Sequence, residues 1–198
     1  MGRHATLAQI EHLADVLETI SAELWPEAPR WRDVPPHATT DHPQGRFVPS
    51  FDDRPISGRG SPWGLDLELH RHGDEVEALV TLRSAHEGAP GRSHGGITAA
   101  LFDDVFGYML GVLQQPAFTG ELSVRYVAPT PLLRRLACRV RLDRRDGRKL
   151  YMTGELTDVE SGTLLVTARA TFIAVDPAVF ARLTAERPAP PEAGHPTT

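Results

Sequence analysis

His94-Gly95-Gly96 stands at the head of an apolar stretch, and nine residues after the histidine comes Asp103. The stretch from Ile97 to Leu113 is too long for a strand and reads as a helix over about 95–112, closed by Pro116. A helix N-terminus presents unpaired backbone N–H groups and a partial positive charge, and glycine there lets a ligand approach the backbone closely. Together these suit a carbonyl oxygen on its way to becoming an oxyanion. Alone, the His-Gly-Gly triplet also reads as a plain loop-to-helix junction. Asp103 supplies the context. It has Ala99, Ala100, Phe106 and Gly107 at three- and four-residue steps, while Ile97, Leu101, Val105, Tyr108 and Val112 lie on the opposite arc. Asp103 therefore centres a face of small residues, where a helix or a ligand packs closely. A carboxylate there is either solvated surface or a desolvated group kept for chemistry. Asp104, about 100° further round the helix, falls nearer the apolar arc and reads as a structural, hydrogen-bonding acid.

The elements that must hold this helix follow from a change of period. Ala5 to Leu24 is helical, with Leu7, Ile10, Leu13, Leu17, Ile20 and Leu24 at three- and four-residue steps and Glu11, Asp15 and Glu18 opposite. Trp25 to Pro62 is rich in Pro, Gly, Asp and Arg and reads as an irregular wrapping segment anchored by Trp25, Trp31 and Trp63. Beyond it the period falls to two. Leu65, Leu67 and Leu69 make one strand, His72-Gly73-Asp74 a turn, and Val76 to Leu82 a second strand. After the long helix come Leu122-Val124-Tyr126, then Leu136 to Leu142, Leu150 to Thr157 and Leu164 to Val175, four strands read as a meander with turns at Asp146-Gly147 and Ser161-Gly162. A short helix over Ala178–Ala185 and a mobile Pro-rich tail over Arg187–Thr198 complete the chain. One wide-faced apolar helix within an antiparallel sheet of about six strands implies a sheet curled around that helix, an α+β fold. The division expected is 1–62 (helix and wrapping segment), 63–176 (the sheet-and-helix domain) and 177–198 (short helix and tail).

At this point the sequence resembles a family. Gly91-Arg92-Ser93-His94-Gly95-Gly96 followed by Asp103 looks like the hotdog-fold acyl-CoA thioesterases, of the phenylacetate-pathway type and the mammalian thioesterase-superfamily-member type. Thr119-Gly120-Glu121-Leu122-Ser123-Val124-Arg125-Tyr126 is similar to that family's next strand, where a Ser or Thr stands seven residues before a tyrosine. The resemblance covers roughly 64–176 and implies a hotdog fold, a homodimer with shared active sites or a tetramer, an acyl-coenzyme A substrate, and neither cofactor nor metal. By it Asp103 acts as general base or nucleophile, the Gly95 amide polarises the carbonyl, Thr119 positions water, His94 shapes the loop and helix start, and Gly96 contacts substrate. One departure stands out: several members carry Asn six residues before the histidine, where this chain has Gly88. The expected reaction is hydrolysis of acyl-CoA thioesters, with acyl groups of medium to long chain length. The alternative is a non-catalytic acyl-CoA sensor, which has no need of a carboxylate beside the thioester.

Other residues carry weaker signals. Arg134, Arg135, Arg139 and Arg141 form a basic patch that is either a solvated sheet face or a contact for the phosphates of coenzyme A, with Arg134 and Arg135 the candidate substrate-binding pair. His70 and His72 have metal-ligand spacing without a completing set and read as a surface pair. Cys138, the one cysteine, excludes an intramolecular disulfide and reads as a core thiol. With 198 residues, 40% hydrophobic and 24% charged, the chain suits one globular domain. A net charge of −5 with scattered basic residues argues against nucleic acid. No signal segment is read at the start. Asp103 and Asp104 in the middle of the 97–113 run would each cost roughly 2.5–3.5 kcal/mol in a bilayer, so a cytoplasmic protein without membrane contact is expected.

Overall fold

A computed structural model describes residues 6–24, 43–47, 54–58, 61 and 63–185. The chain divides into two units, Met1–Asp33 with Arg187–Thr198, and Val34–Glu186. The expected anchors Trp25 and Trp31 and the tail over 187–198 lie outside the described residues.

In the first unit, α1 spans Leu7–Leu24. Thr6 and Gln9 cap it reciprocally: the Gln9 side-chain oxygen accepts from the Thr6 N–H at 2.9 Å, and the Thr6 hydroxyl oxygen accepts from the Gln9 N–H at 3.3 Å. Leu7, Ile10, Leu13, Leu17 and Ile20 of its apolar stripe are exposed.

The second unit contains β1 (Gly45–Phe47), β2 (Glu68–His72), β3 (Glu75–Thr81), α2 (Gly95–Val112), β4 (Ala117–Tyr126), β5 (Arg135–Asp146), β6 (Lys149–Asp158), β7 (Leu164–Ala174) and α3 (Pro177–Ala185). Its strands form one antiparallel sheet in the order β1-β2-β3-β5-β6-β7-β4. Alternate residues of the strands, among them Leu69, Val76, Val80, Val140, Met152 and Phe172, are buried in one core with Leu101, Phe102, Val105, Phe106 and Met109 of α2. The expectation of one helix wrapped by an antiparallel sheet therefore holds, and α2 has the bounds read from the sequence. The turns at Gly147 and Gly162 hold as well, each glycine at positive φ (+54° and +69°), where a side chain would be strained.

Four expectations need correction. A seventh strand, β1, pairs with β2 inside the stretch read as irregular. Three residues are too few to display a period of two, yet Phe47 is buried and its ring meets Tyr108 at 6.0 Å. Pairing in β2 begins at Glu68, not Leu65: Leu65 is buried, but its N–H donates to the Ile56 carbonyl at 2.6 Å, which ties it to the 54–58 turn. The four later strands are not a simple meander. α2, at 18 residues and about 1.5 Å per residue, carries the chain across the sheet, so β4 starts at the far edge beside β7. Residues 127–134 then bring it back to pair β5 with β3. The Trp63 indole does not act as an anchor; the residue is 62% exposed, and only its carbonyl is held, by His86 Nε2 at 3.2 Å.

Candidate active site

His94 is the N-cap of α2, in extended backbone conformation with φ −64° and ψ 132°. Its Nδ1 accepts the Gly96 N–H at 3.0 Å, so Gly96, expected to contact substrate, already has its amide occupied. The His94 carbonyl accepts from Ile97 and Thr98. Of the first amides of the helix, that of Gly95 meets no acceptor among the described residues. It faces the positive end of the helix dipole and lines a cavity of about 420 Å³ with Arg92, Ser93, Thr98, Tyr126 and Thr130. The His94 ring Nδ1 is thus engaged in capping the helix start.

Tyr126, which sequence reasoning left without a role, closes the other side of Gly95. Its hydroxyl donates to the Gly95 carbonyl at 2.7 Å, and a side chain on Gly95 would begin 3.1 Å from that oxygen. Arg92 was likewise missed. It is exposed on the rim of the cavity, where its guanidinium donates to the Gly91 carbonyl.

Asp103 sits two turns into α2, exposed, and the Thr119 hydroxyl donates to its Oδ1 at 3.0 Å. The structure therefore joins the two residues that the sequence could connect only through a resemblance. It also separates Asp103 from Asp104 as expected. Asp104 is buried, and Arg54 Nε donates to its Oδ1 at 3.0 Å. The guanidinium lies 4.2 Å from the Tyr108 ring centroid, and Ser57 and the Tyr108 hydroxyl are 2.8 Å apart. Burial pushes the Tyr108 hydroxyl up to about 12, so it stays protonated. The small-residue face around Asp103 is narrower than expected. Phe106 is fully buried in the core, and Arg54 fills the space over Gly107, where a Cβ would lie 3.3 Å from the guanidinium.

Gly88 is a consequence of packing. A Cβ there would lie 2.7 Å from His94 Cα, a backbone atom that cannot move aside, so this loop has no room for an asparagine at 88. Within the basic patch Arg134, Arg135 and Arg139 are paired inside the chain. Arg134 bonds Asp158 and Glu160 at 3.1 and 2.9 Å, Arg135 bonds Glu68, and Arg139 bonds Glu77. Arg134 and Arg135 thus meet carboxylates, whereas Arg92 meets none among the described residues. His70 and His72 stack at 6.0 Å and face Glu68 and Glu77. Burial raises the Cys138 thiol far above its ordinary range, which leaves it an inert core group.

The chemistry on offer is a carboxylate with a hydroxyl beside it, and an amide donor at a helix end. The two lie eight positions apart on one helix, about 12 Å along its axis. Both lie along β4, a strand of ten residues that among the described residues stands at the edge of the sheet beside β7.

Residues 91–165 match the family model of the thioesterase superfamily. The chain is 29% identical over 123 residues to the acyl-coenzyme A thioesterase THEM4 of Bos taurus, covering 60% of this chain and 51% of the bovine protein. It thus spans about half the length of that relative. A solved thioesterase superfamily protein superposes with a TM-score of 0.70 at 27% identity, over 86% of this chain and 81% of the other. A hypothetical thioesterase of Streptococcus pneumoniae TIGR4, crystallised with coenzyme A, shares the fold at a TM-score of 0.52 and 18% identity, over 55% of this chain and 88% of the other.

Proposed function

We infer, for a chain whose residues 91–165 match the family model of the thioesterase superfamily, that it hydrolyses acyl-coenzyme A thioesters to the free acid and coenzyme A. The observation that carries this reading is the Thr119–Asp103 contact on the same helix whose first amide, that of Gly95, is unpaired among the described residues. Asp103 takes a proton from a water held by Thr119, and the water oxygen attacks the thioester carbonyl carbon. Negative charge gathers on the carbonyl oxygen, which the Gly95 N–H stabilises. The C–S bond then breaks, and coenzyme A leaves as a thiolate that is reprotonated.

The 12 Å between the two groups supports a homodimer with each site shared. Edge strand β4 has a free row of backbone groups on the side away from β7, a template for antiparallel pairing with its own copy. A two-fold axis through that pairing sets the helices antiparallel, bringing Asp103 of one protomer toward Gly95 of the other. It also covers Asp103, which a single protomer leaves exposed.

The acyl group extends over the Ala99 and Ala100 side of α2, half-buried space that supports medium to long chains; Arg54 bounds it at Gly107. The phosphates of coenzyme A fall to Arg92 in preference to the paired Arg134 and Arg135. Among the described residues no helix is long and apolar enough to cross a membrane. A lone buried thiol fits a reducing compartment, the cytoplasm.

The test is release of free thiol from a panel of acyl-CoAs, with Asp103→Asn expected to lose about 10²–10⁴-fold in kcat while its melting temperature stays near wild type. A single turnover in ¹⁸O-water should put label in the product acid and none in the Asp103 carboxylate; label in Asp103 would mean direct attack by the carboxylate. Tight acyl-CoA binding without turnover would favour the sensor.

A further inference from the structure

Strand β4 touches α2 through two side chains, Tyr126 to the Gly95 carbonyl and Thr119 to Asp103. They stand seven residues apart, and in a regular strand an odd spacing puts side chains on opposite faces. Leu122 and Val124 share the inner face with Tyr126, packed against the core, while Glu121, Ser123 and Arg125 point out. Counting back by two from Leu122 puts residue 120 inside and Thr119 outside. The pairing with β7 breaks at this place: Thr119 stands opposite Phe172 and Glu121 opposite Thr171, so Gly120 is an extra, bulged residue. Thr119 thereby joins the inner face, and Phe118 turns outward, where its ring meets Phe180 of α3 at 5.6 Å.

The bulge is packed tightly around Gly120. A Cβ at residue 120 would lie 3.2 Å from both the Thr171 carbonyl oxygen and Ile173 Cγ1. The isoleucine can rotate, whereas the carbonyl belongs to the paired backbone of β7. A side chain at 120 therefore presses on this pairing by a few tenths of an ångström, and the strain is relieved when β4 lifts from β7 or loses its bulge and turns Thr119 outward. Either movement takes the hydroxyl from Asp103.

We propose that Gly120 is a positioning residue for hydrolysis: its bulge reverses the face of β4 so that Thr119 and Tyr126 both engage α2. This rests on the acyl-CoA hydrolase reading above. Gly120→Ala, and the larger Gly120→Val, should lower kcat about tenfold to hundredfold, the worth of one hydrogen bond to a charged group, with KM changed less than twofold. Thr119→Ala should give the same loss. The Thr119→Ala/Gly120→Ala double variant should be no slower than either single one, because each removes the same contact. A Gly120→Ala enzyme with wild-type kcat, or losses that multiply in the double variant, would overturn the proposal. Crystal structures of the two Gly120 variants provide a readout independent of turnover. Thr119 Oγ1 should lie beyond hydrogen-bond distance of Asp103, and an intact 3.0 Å contact in Gly120→Ala overturns the proposal even if no thioester is hydrolysed. Absence of turnover by the wild-type protein would instead count against the hydrolase reading alone. Gly120→Ala serves if the valine variant fails to fold.

Discussion

A complementation experiment tests the shared site, and its size follows from the helix. Attack on a thioester needs a base or its water on the carbonyl carbon and a donor within about 3 Å of the carbonyl oxygen. The two groups can therefore be only a few ångströms from a common point, whereas Asp103 and Gly95 of one protomer are about 12 Å apart along α2. Gly95→Pro deletes the N–H at the first helical position, where proline is tolerated, and His94 already has the extended backbone that a following proline requires. The new ring meets Tyr126, 3.1 Å away, so Gly95→Ala is the control that makes the same contact and keeps the amide. As homodimers, Asp103→Asn should fall about 10²–10⁴-fold and Gly95→Pro about 10²–10³-fold, with Gly95→Ala well above the latter. A mixed dimer has one site carrying both lesions and one carrying none. Random association of equal amounts makes half the dimers mixed, so about a quarter of wild-type activity should return. Isolating mixed dimers through two different tags should raise that to about half. Thiol release from acyl-CoA is the assay. Doubly tagged dimers no more active than either parent would show that the acid and the amide serve one site from one chain, and the reasoning from helix length would fail.

Other outcomes follow from the buried polar groups. Arg54→Met leaves the Asp104 carboxylate buried and unpaired, which should cost about 3–5 kcal/mol in urea unfolding; adding Asp104→Leu should recover most of it, and a loss under about 1 kcal/mol for Arg54→Met would show that the pair is solvated. Asp158 accepts from the Ser161 N–H, from Arg134 and from the Glu160 N–H, which hold its carboxyl below the ordinary value. A lowered folded value means that its stabilisation is complete above about pH 4, the unfolded value, and is lost as pH falls through the folded one. Asp158→Asn should accordingly flatten the melting temperature below about pH 4, and an unchanged acid limb would assign that loss to other carboxylates.

The sequence by itself was enough for the elements whose signal is local. The apolar run behind His94 ended at Pro116, and its helix formed with the bounds read for it, because capping and periodicity act within a few residues. The alternation in β3, β5, β6 and β7 was legible for the same reason, as was the separation of Asp104 from Asp103 by a hundred degrees of helix. A three-residue strand such as β1 has no period to read, and its pairing with β2 exists only once both are folded. Arginines that look like a patch along β5 are met across the sheet and its turns by Glu68, Glu77 and Asp158. Gly88 and Gly120 look like ordinary loop and strand glycines until the atoms packed against them are known.

The contact of Thr119 with Asp103 depends on all of this together. The residue types and their spacing identify the chemistry, because a carboxylate, a hydroxyl and a helix-end amide have their properties wherever they stand. Their convergence is a matter of tertiary structure. β4 reaches the far edge only because α2 crosses the sheet, and Thr119 faces inward only because the chain bulges at Gly120. Side-chain chemistry is a property of the residue and can be read one position at a time. The direction in which a side chain points is summed over every turn and register shift before it, and that sum is fixed only when the sheet closes on the helix.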